Sequence, residues 1–325
     1  MDACDLPDCK DLTMRWRFLP LPLLLLLLSL LVDGDSGFRI CAYNVDNFNL
    51  AKASQRSVLH TLTRVVARCD ICLLQGVKDP DGKAIQKLLI SVNRATQRYE
   101  NHKYKEVSSK SHGNSPADMQ QYVFIYRSGM VNVTGKHQYE KKNAFVRAPY
   151  AVQFQSDKTA IKKFVLVPLH TDPSKAVQEI DRLYDVFEEV RKKWNNTNVM
   201  FLGNFHASCA YMTRTNKKDI RLFTRAGFSW LIRDKVDTTV GEHTNCAYDR
   251  IVVYGKPFLK GITPFSAIVF NYVKEFKLSK TRALDVSDHL PVEVRLKSSA
   301  SLLQAIPLLI LISVSAIVQY CLSAL

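Results

Sequence analysis

The amino-acid sequence predicts an α/β fold, a four-layered sandwich in which two packed β-sheets lie between flanking helices. Apolar, strand-like segments outnumber helical ones, and clear helical periodicity occurs once in each half of the chain. Neither an internal repeat nor a low-complexity linker divides residues 38–298, so we expect one domain over this range. A hydrophobic content of 47% over 325 residues excludes disorder as the default state and suffices for a deep core.

The predicted elements follow one another in an order typical of such a sandwich. Residues 39–45 are apolar and are predicted to form the first strand, whereas residues 51–68 repeat apolar side chains at the period of an amphipathic helix. A second helix is predicted after Asp172-Pro173, a favourable N-cap and first-turn pair. Its apolar stripe consists of Val177, Ile180, Leu183, Tyr184, Phe187 and Val190. The remaining predicted strands are 70–75, 122–126, 151–154, 164–169, 198–202, 250–254 and 290–296.

Residues 1–37 have the features of a signal peptide. Arg15 and Arg17 precede an apolar run over residues 18–32, and small residues at 34, 36 and 37 provide a cleavage region. The acidic segment before Met14 is unusual for such a peptide, which makes Met14 an alternative start. We therefore expect the chain to enter the secretory pathway.

The C-terminal residues 299–325 are predicted to form a hydrophobic tail. Residues 306–325 are apolar, no charged residue follows Lys297, and about twenty such residues can cross a bilayer as a helix. The small residues at 298–301 also fit a GPI attachment site, so a GPI signal and a transmembrane anchor both stay open. The expected locations are the cell surface, a membrane-anchored state in the endoplasmic reticulum or lysosome, or secretion.

The positive charge favours polyanionic partners. The formal net charge is +15 for the whole chain. Residues 1–37 carry three basic and six acidic residues, so the charge of the remainder is +18. Such an excess favours nucleic acid, heparan-like glycans or anionic lipid, and charge alone does not choose among them.

Cysteines and glycosylation sequons also fit a secreted chain. Five of the eight cysteines lie in the domain, and an odd number leaves at least one without an intramolecular partner there. The motif at Cys69 and Cys72 is interpreted as structural, because no second pair accompanies it. Asn132 and Asn195 begin Asn-x-Thr sequons and are predicted glycosylation sites.

Polar residues stand at the ends of several predicted strands. Each one alone is explained as a turn residue. Together they indicate a site, because α/β folds build their sites at strand ends. The residues in question are Asn44, His170, Asn204, Asp249, Asp288 and His289.

Several sequence blocks resemble the DNase I family over residues 38–297. These blocks are residues 38–44 (FRICAYN), 166–170 (LVPLH), 183–187 (LYDVF), 244–250 (TNCAYDR) and 287–293 (SDHLPVE). Residues 50–52, residues 67–71 and the apolar tail are most similar to the membrane-tailed member of that family, DNase X. The resemblance implies a DNase I-like sandwich and an endodeoxyribonuclease ancestry.

The resemblance also implies roles for individual residues. In the family, two imidazoles supported by carboxylates perform acid–base chemistry, and carboxylates and amides hold Mg²⁺ against the phosphate, with Ca²⁺ as a second family ion. The implied catalytic residues are His170 and His289 with Asp249, the implied metal or phosphate ligands are Asn44 and Asp288, and the implied DNA contacts are Arg147, Tyr248 and Thr244. The resemblance further implies a disulfide between Cys209 and Cys246, worth roughly 2–4 kcal/mol.

Four positions depart from the family pattern, and all four belong to the catalytic site. The family's Leu-x-Gln-Glu-Val has Gly76 in place of its metal carboxylate, and its Gly-Asp-Phe-Asn has Asn204 and His206. The glutamate that orients the first imidazole aligns with Gln120. Because removing one member of a catalytic unit typically costs orders of magnitude in rate, the substitutions predict weak or absent hydrolysis.

Three functions follow as hypotheses. The first is a membrane-tethered protein that binds DNA but hydrolyses it poorly, and the second is an active endonuclease with a differently held metal. The third is a basic surface protein that binds glycans or proteins. His206 adds a narrower alternative for the metal, since with His170, His289 and Asp288 it provides ligands that suit Zn²⁺.

Overall fold

A computed structural model describes residues 37–97, 103–241 and 244–299. These residues form two six-stranded mixed sheets with the strand orders β11-β12-β1-β2-β4-β3 and β5-β6-β7-β8-β10-β9. The strands of the first sheet are β1 (Phe38–Phe48), β2 (Ile71–Val77), β3 (Tyr104–Ser108), β4 (Gln121–Arg127), β11 (Ile268–Val269) and β12 (Val292–Leu296). Those of the second sheet are β5 (Asn132–Gln138), β6 (Tyr150–Gln155), β7 (Lys163–Pro168), β8 (Val199–Asn204), β9 (Phe228–Trp230) and β10 (Asp249–Tyr254).

Helices cover the outer face of each sheet. Their bounds are α1 (Leu50–Ser54), α2 (Arg56–Val66), α3 (Lys83–Thr96), α4 (Ala176–Trp194), α5 (Arg221–Thr224), α6 (Lys256–Lys260), α7 (Tyr272–Glu275) and α8 (Lys280–Val286). One apolar cluster joins α2, α3 and α8 to the first sheet, a second lies between the sheets, and a third joins α4 to the second sheet. The predicted four-layered sandwich is therefore confirmed.

The two-residue period of β1 explains how one strand serves two layers. Cys41, Tyr43 and Val45 lie in the cluster under the helices, whereas Phe38 and Ile40 lie in the cluster between the sheets. Successive side chains of a strand point to opposite faces, so a strand buried on both faces is apolar throughout. This is why residues 39–45 read as a continuous apolar run.

The predicted helices exist, but the first is interrupted and the second begins later than predicted. The helix predicted over 51–68 is interrupted at Gln55, whose backbone is extended and separates α1 from α2. Asp172 caps a 3₁₀ turn by accepting a hydrogen bond from the Ser174 backbone N–H, and the α-helix begins only at Ala176. The N-cap chemistry of Asp172 was identified correctly, but it starts a different kind of turn.

Two disulfides lie within the described residues. Cys209 and Cys246 are bonded with Cα atoms 5.9 Å apart, which confirms the pairing implied by the resemblance. Cys41 and Cys69 are bonded with Cα atoms 6.1 Å apart and tie β1 to the turn before β2. Cys72 is buried with a free thiol, so the Cys-x-x-Cys motif is divided between a disulfide and the core.

The targeting predictions concern mainly other parts of the chain. The predicted signal peptide, apart from Gly37, and the apolar residues of the predicted tail lie outside the described residues. Of the helices in the described ranges, none has the length and apolar character required to cross a membrane.

Candidate functional site

The strand-end residues meet because the strands of each sheet present matching ends. In the first sheet β1 and β2 run parallel, and β12 and β4 run antiparallel to them. In the second sheet β7 and β8 run parallel, and β6 and β10 run antiparallel to them. The ends of β1, β2, β7 and β8 and the beginnings of β4, β6, β10 and β12 therefore lie on one edge. The predicted site residues lie on or directly beside these ends.

Gln75 joins the two sheets beneath this edge. Its side-chain Nε2 donates to the Leu169 carbonyl at 2.6 Å, and its Oε1 accepts from the Asn204 backbone N–H at 2.9 Å. Gly203 leaves the space for this contact, since a Cβ atom there would lie 2.3 Å from Gln75 Nε2. The fully buried amide thus fixes β2 against β7 and β8.

The imidazole–carboxylate pair of His289 and Asp249 is formed. His289 Nδ1 lies 2.7 Å from Asp249 Oδ2, and both side chains are buried. Burial lowers the pKa of His289, but the Asp249 carboxylate more than offsets this effect and raises the pKa to about 9. The Thr238 hydroxyl accepts from the Asp249 backbone N–H at 3.1 Å and so fixes the start of β10. The pair carries an imidazolium at neutral pH.

His170 lies at the same edge and is fixed through its backbone. The His170 backbone N–H donates to the Tyr122 hydroxyl at 2.9 Å, which fixes the backbone. Its Nδ1 atom and Gln120 Oε1 are both buried, and neither has a hydrogen-bond partner among the described residues. Gln120, which aligns with the family's orienting glutamate, therefore does not bind His170 Nδ1 in this structure. Burial, and then the charge of Arg147, hold the pKa of His170 well below its usual range.

The side chain of His206 belongs to a cluster of aromatic rings. Its ring stacks on His170 with centroids 6.0 Å apart and contacts Tyr211 at 5.2 Å and Tyr248 at 5.4 Å. His206 Nδ1 lies 2.9 Å from the Thr171 hydroxyl. Burial lowers the pKa of His206 to about 3, so the imidazole is neutral under ordinary conditions.

Gly76 supplies no ligand, and its surroundings leave little room for one. Its φ is +70°, a left-handed conformation, and it lies beside a register shift between β2 and β4. A Cβ atom at this position would lie 2.6 Å from Asn44 Oδ1 and 3.1 Å from the Asp46 backbone nitrogen. A longer side chain at position 76 would therefore need a backbone conformation that it does not readily adopt.

The residues present do not fit a magnesium, calcium or zinc site. Asn44 and Asn204 offer neutral amides, and the exposed Asp288 carboxylate lies 3.8 Å from His289 Nε2. Within residues 37–97, 103–241 and 244–299, no three His, Cys, Asp or Glu side chains are arranged to hold a metal ion. The three-imidazole zinc alternative is thus not formed here. Hard divalent ions prefer several anionic oxygens that converge on one point, and the described residues do not provide such a group at this edge.

Arg147 is buried among internal acceptors. Its Nη1 atom lies 2.8 and 3.0 Å from the two carboxylate oxygens of Asp118, while Nε and Nη2 donate to the carbonyls of His170 and Thr171. The preceding Val146 N–H donates to the buried carboxylate of Glu179 at 2.7 Å. The arginine predicted to contact a DNA phosphate therefore already holds a carboxylate.

A sequence profile of the Endonuclease/Exonuclease/phosphatase family matches residues 41–289. Human Deoxyribonuclease gamma is 41% identical over 283 residues, covering 86% of this chain and 91% of the relative. Mouse Deoxyribonuclease-1-like 2 is 41% identical over 88% of this chain and 100% of the relative. Human Deoxyribonuclease-1-like 1 is 39% identical over 89% of this chain and 95% of the relative.

The chain belongs to the DNase I family.

Solved structures agree at the level of the fold. An endonuclease/exonuclease/phosphatase from Bacteroides vulgatus has a TM-score of 0.54 at 14% identity, over 81% of this chain and 100% of that one. The human Nocturnin catalytic domain with bound sulfate has a TM-score of 0.55 at 13% identity, over 81% of this chain and 95% of that one. At these identities the likeness establishes the sandwich alone.

The remaining predicted contacts of this DNase I-family chain lie on or near the surface. Tyr248 is half-buried and lies between the rings of Tyr211 and His289, at 5.6 and 6.3 Å. Thr244 is exposed, and its hydroxyl lies 2.8 Å from that of Thr239. Both predicted glycosylation sites, Asn132 and Asn195, are exposed.

Three residues in contact with the candidate site were not predicted from the sequence. Asp118 binds Arg147, Glu179 holds the backbone before Arg147, and Tyr211 extends the aromatic cluster. Glu179 left a signal, because it is a charged residue within the apolar stripe of α4 and is fully buried. Asp118 and Tyr211 lie in 3₁₀ turns, where residue spacing gives no comparable signal.

Proposed function

We propose that this DNase I-family chain binds DNA without sequence preference and hydrolyses it weakly or not at all. The observation that carries the proposal is the set of groups around Asn44, where Gly76, Asn204 and His206 stand at positions of family metal ligands. None of the three supplies an anionic oxygen. Metal-assisted hydrolysis depends on such oxygens to hold the ion against the phosphate, so their loss removes the main source of catalysis.

DNA binding is supported by charge and by the aromatic cluster. The net charge of +15 attracts polyanions. The relatives of this chain are named deoxyribonucleases, which favours DNA among the polyanions. Contacts with a phosphate backbone need placed cations and hydrogen-bond donors but no metal. His289, whose pKa the Asp249 carboxylate raises, lies beside the ring of Tyr248 and offers an N–H donor at the shared strand edge.

The proposed location is the secretory pathway, with attachment to a membrane through the C-terminal tail. The apolar runs at residues 18–32 and 306–325 support it. The two disulfides support it as well, because disulfides persist mainly in oxidising compartments.

A second candidate function is an active endonuclease that holds its metal differently. The intact hydrogen bond between His289 and Asp249 favours it, since this pair retains its acid–base geometry.

A plasmid-nicking assay in Mg²⁺, Ca²⁺, Mn²⁺ and Zn²⁺ separates these candidates. We expect no cleavage above background in any of the four ions, while labelled DNA is still retained by the protein and is displaced by salt. Robust cleavage that is abolished by His170→Ala and by His289→Ala would establish the active endonuclease instead. Competition with heparin serves as the parallel measurement, because a glycan-binding protein would release DNA at much lower heparin concentrations than a DNA-binding one.

A further inference from the structure

An apolar patch is exposed at the loop between α6 and β11. Phe265 is 94% exposed and has a φ of +60°, a left-handed conformation that bulky residues rarely adopt. Leu259 on α6 is also large, apolar and exposed. A strained backbone conformation persists only where the surrounding structure holds it, and such positions cluster at functional sites.

A cavity of about 450 Å³ adjoins these side chains. Phe265 and Leu259 line it together with the apolar side chains of Leu231, Val236 and Ile262. We refer to Leu259, Phe265 and this cavity as the Phe265 patch. Its surroundings carry exposed cations, namely Arg233 in the cavity wall and Lys256 and Lys260 on α6. Apolar side chains within a cationic rim match the interface of an anionic membrane.

The end of β12 and Lys297 lie beside the loop that carries the patch. The Lys297 N–H donates to the Gly261 carbonyl at 2.8 Å, and the Thr263 N–H donates to the Arg295 carbonyl at 2.9 Å. The apolar run at 306–325 begins seven residues after Ser299. At most about 3.6 Å per residue separates these points, so the run begins within about 25 Å of Ser299.

We propose that the Phe265 patch rests on the surface of an anionic lipid bilayer when the tail of the same chain is inserted. This inference goes beyond the proposed function and depends on the tail prediction, not on DNA binding. Phe265 enters the interfacial region, the adjoining cavity receives acyl or headgroup carbons, and the cationic rim contacts lipid phosphates.

The strand directions give this contact an orientation. Asp249 begins β10 and His289 precedes β12, whereas α6 follows the end of β10 and Lys297 follows the end of β12. Strands of five or six residues span about 17–20 Å. The His289 edge therefore faces away from a membrane that contacts the Phe265 patch, and it stays accessible to a large polyanion in solution.

Tryptophan fluorescence in vesicles with brominated acyl chains tests the proposal. The full chain is inserted into phosphatidylcholine–phosphatidylserine vesicles as Phe265→Trp and, for comparison, as Ile90→Trp. Ile90 is the matched control because it is also apolar and 60% exposed but lies on α3. We expect bromine to quench the emission added at position 265 and to leave that added at position 90 unchanged. The double variant Lys256→Glu with Lys260→Glu should lose most of the quenching at position 265.

Several outcomes would overturn the proposal. Equal quenching at positions 265 and 90 would mean that the patch has no preferred contact with lipid. Failure of the chain to enter vesicles would contradict the tail prediction on which the proposal depends. An emission shift at position 265 that follows protein concentration without lipid would assign the patch to a second copy of the chain. A shift in lipid-free protein that disappears on deletion of residues 302–325 would assign it to the chain's own tail.

Discussion

At the residue scale, Asp118 binds the guanidinium of Arg147, the group that would contact a DNA phosphate. Both carboxylate oxygens of Asp118 lie within hydrogen-bond distance of Arg147 Nη1, so an incoming phosphate must displace them. We expect Asp118→Asn to raise DNA affinity about threefold to tenfold, because removing one competing charge is worth about 1 kcal/mol at a partly exposed site. Titration with a labelled duplex at fixed salt measures the effect.

A matched control separates local from global electrostatics. Asp157→Asn makes the same charge change in the exposed turn between β6 and β7, at the strand ends opposite the site. It should change affinity little. If both variants strengthened binding equally, Asp118 would act only through net charge, and the proposed competition at Arg147 would be wrong.

Two histidines of the site should affect stability in opposite pH ranges. Asp249 raises the pKa of His289 to about 9, above that of an unfolded histidine, so this stabilisation is complete below about pH 6.5 and is lost as the pH rises towards 9. Burial lowers the pKa of His206 to about 3, so its contribution is complete above about pH 6.5 and is lost as the pH falls towards 3.

Denaturant unfolding across pH measures these contributions against variants. His206→Asn should show a shallower loss of unfolding free energy than the parent between pH 6.5 and 3. His289→Asn should flatten the decline between pH 6.5 and 9. Parallel curves for the parent and His206→Asn in the acid range would contradict the assignment of a buried, neutral imidazole at position 206.

At the element scale, the end of β2 combines a left-handed residue with a close contact. Gly76 and Gly82 have nearly the same φ, +70° and +71°, but a Cβ atom meets nothing within 4 Å at position 82. Gly82→Ala should therefore lower the free energy of unfolding by about 1 kcal/mol, the cost of the left-handed conformation alone. Gly76→Ala should lower it by about 2–4 kcal/mol, because crowding against Asn44 and the Asp46 backbone is added.

Equal destabilisation of the two variants would show that β2 adjusts without cost. The expected inequality also concerns attempts to restore catalysis. Asn204→Asp and His206→Asn change side chains within existing space, whereas Gly76→Glu must first overcome the backbone conformation. A restored carboxylate at position 76 thus requires a change in β1 as well.

The elements that the sequence predicted well are those buried on one or two faces over their whole length. The central strands and α4 have continuous or periodic apolar residues, so their existence followed from the pattern. Helix α3 was not predicted, since the exposed Ile90 blurs its apolar stripe and Gly82 provides no capping side chain. The edge strand β5 was missed because its alternation of burial includes Gly135 and polar residues.

The site was predictable only as a set of positions. Strand-end polar residues and the family resemblance placed His170, His289, Asp249 and Asn204 on one edge, and the structure brings them there. The pairing of Arg147 with Asp118 depends on a turn whose conformation no residue pattern specifies. Contacts between distant loops arise from tertiary packing, which a local pattern does not contain.

At the scale of the whole molecule, charge should govern DNA binding. Phosphate contacts release counterions, so affinity should fall steeply with salt and differ little between unrelated duplexes. Retention measured at several salt concentrations with two unrelated duplexes checks both expectations. If micromolar protein retained no DNA at low salt, the proposed function would fail, and the basic surface would have to serve another polyanion.

The amide of Gln75 has a consequence for which substitutions the alignment of the two sheets tolerates. Gln75, together with the hydroxyls of Thr238 and Ser287, holds the strand ends through backbone atoms of Leu169, Asn204, Asp249 and Asn44. None of these hydrogen bonds requires the side chain at position 76, 120, 204 or 206. A change of side chain at these positions therefore leaves the hydrogen bonds that align the sheets in place. The hydrogen bonds that align the two sheets are thus independent of the side chains that would decide catalysis.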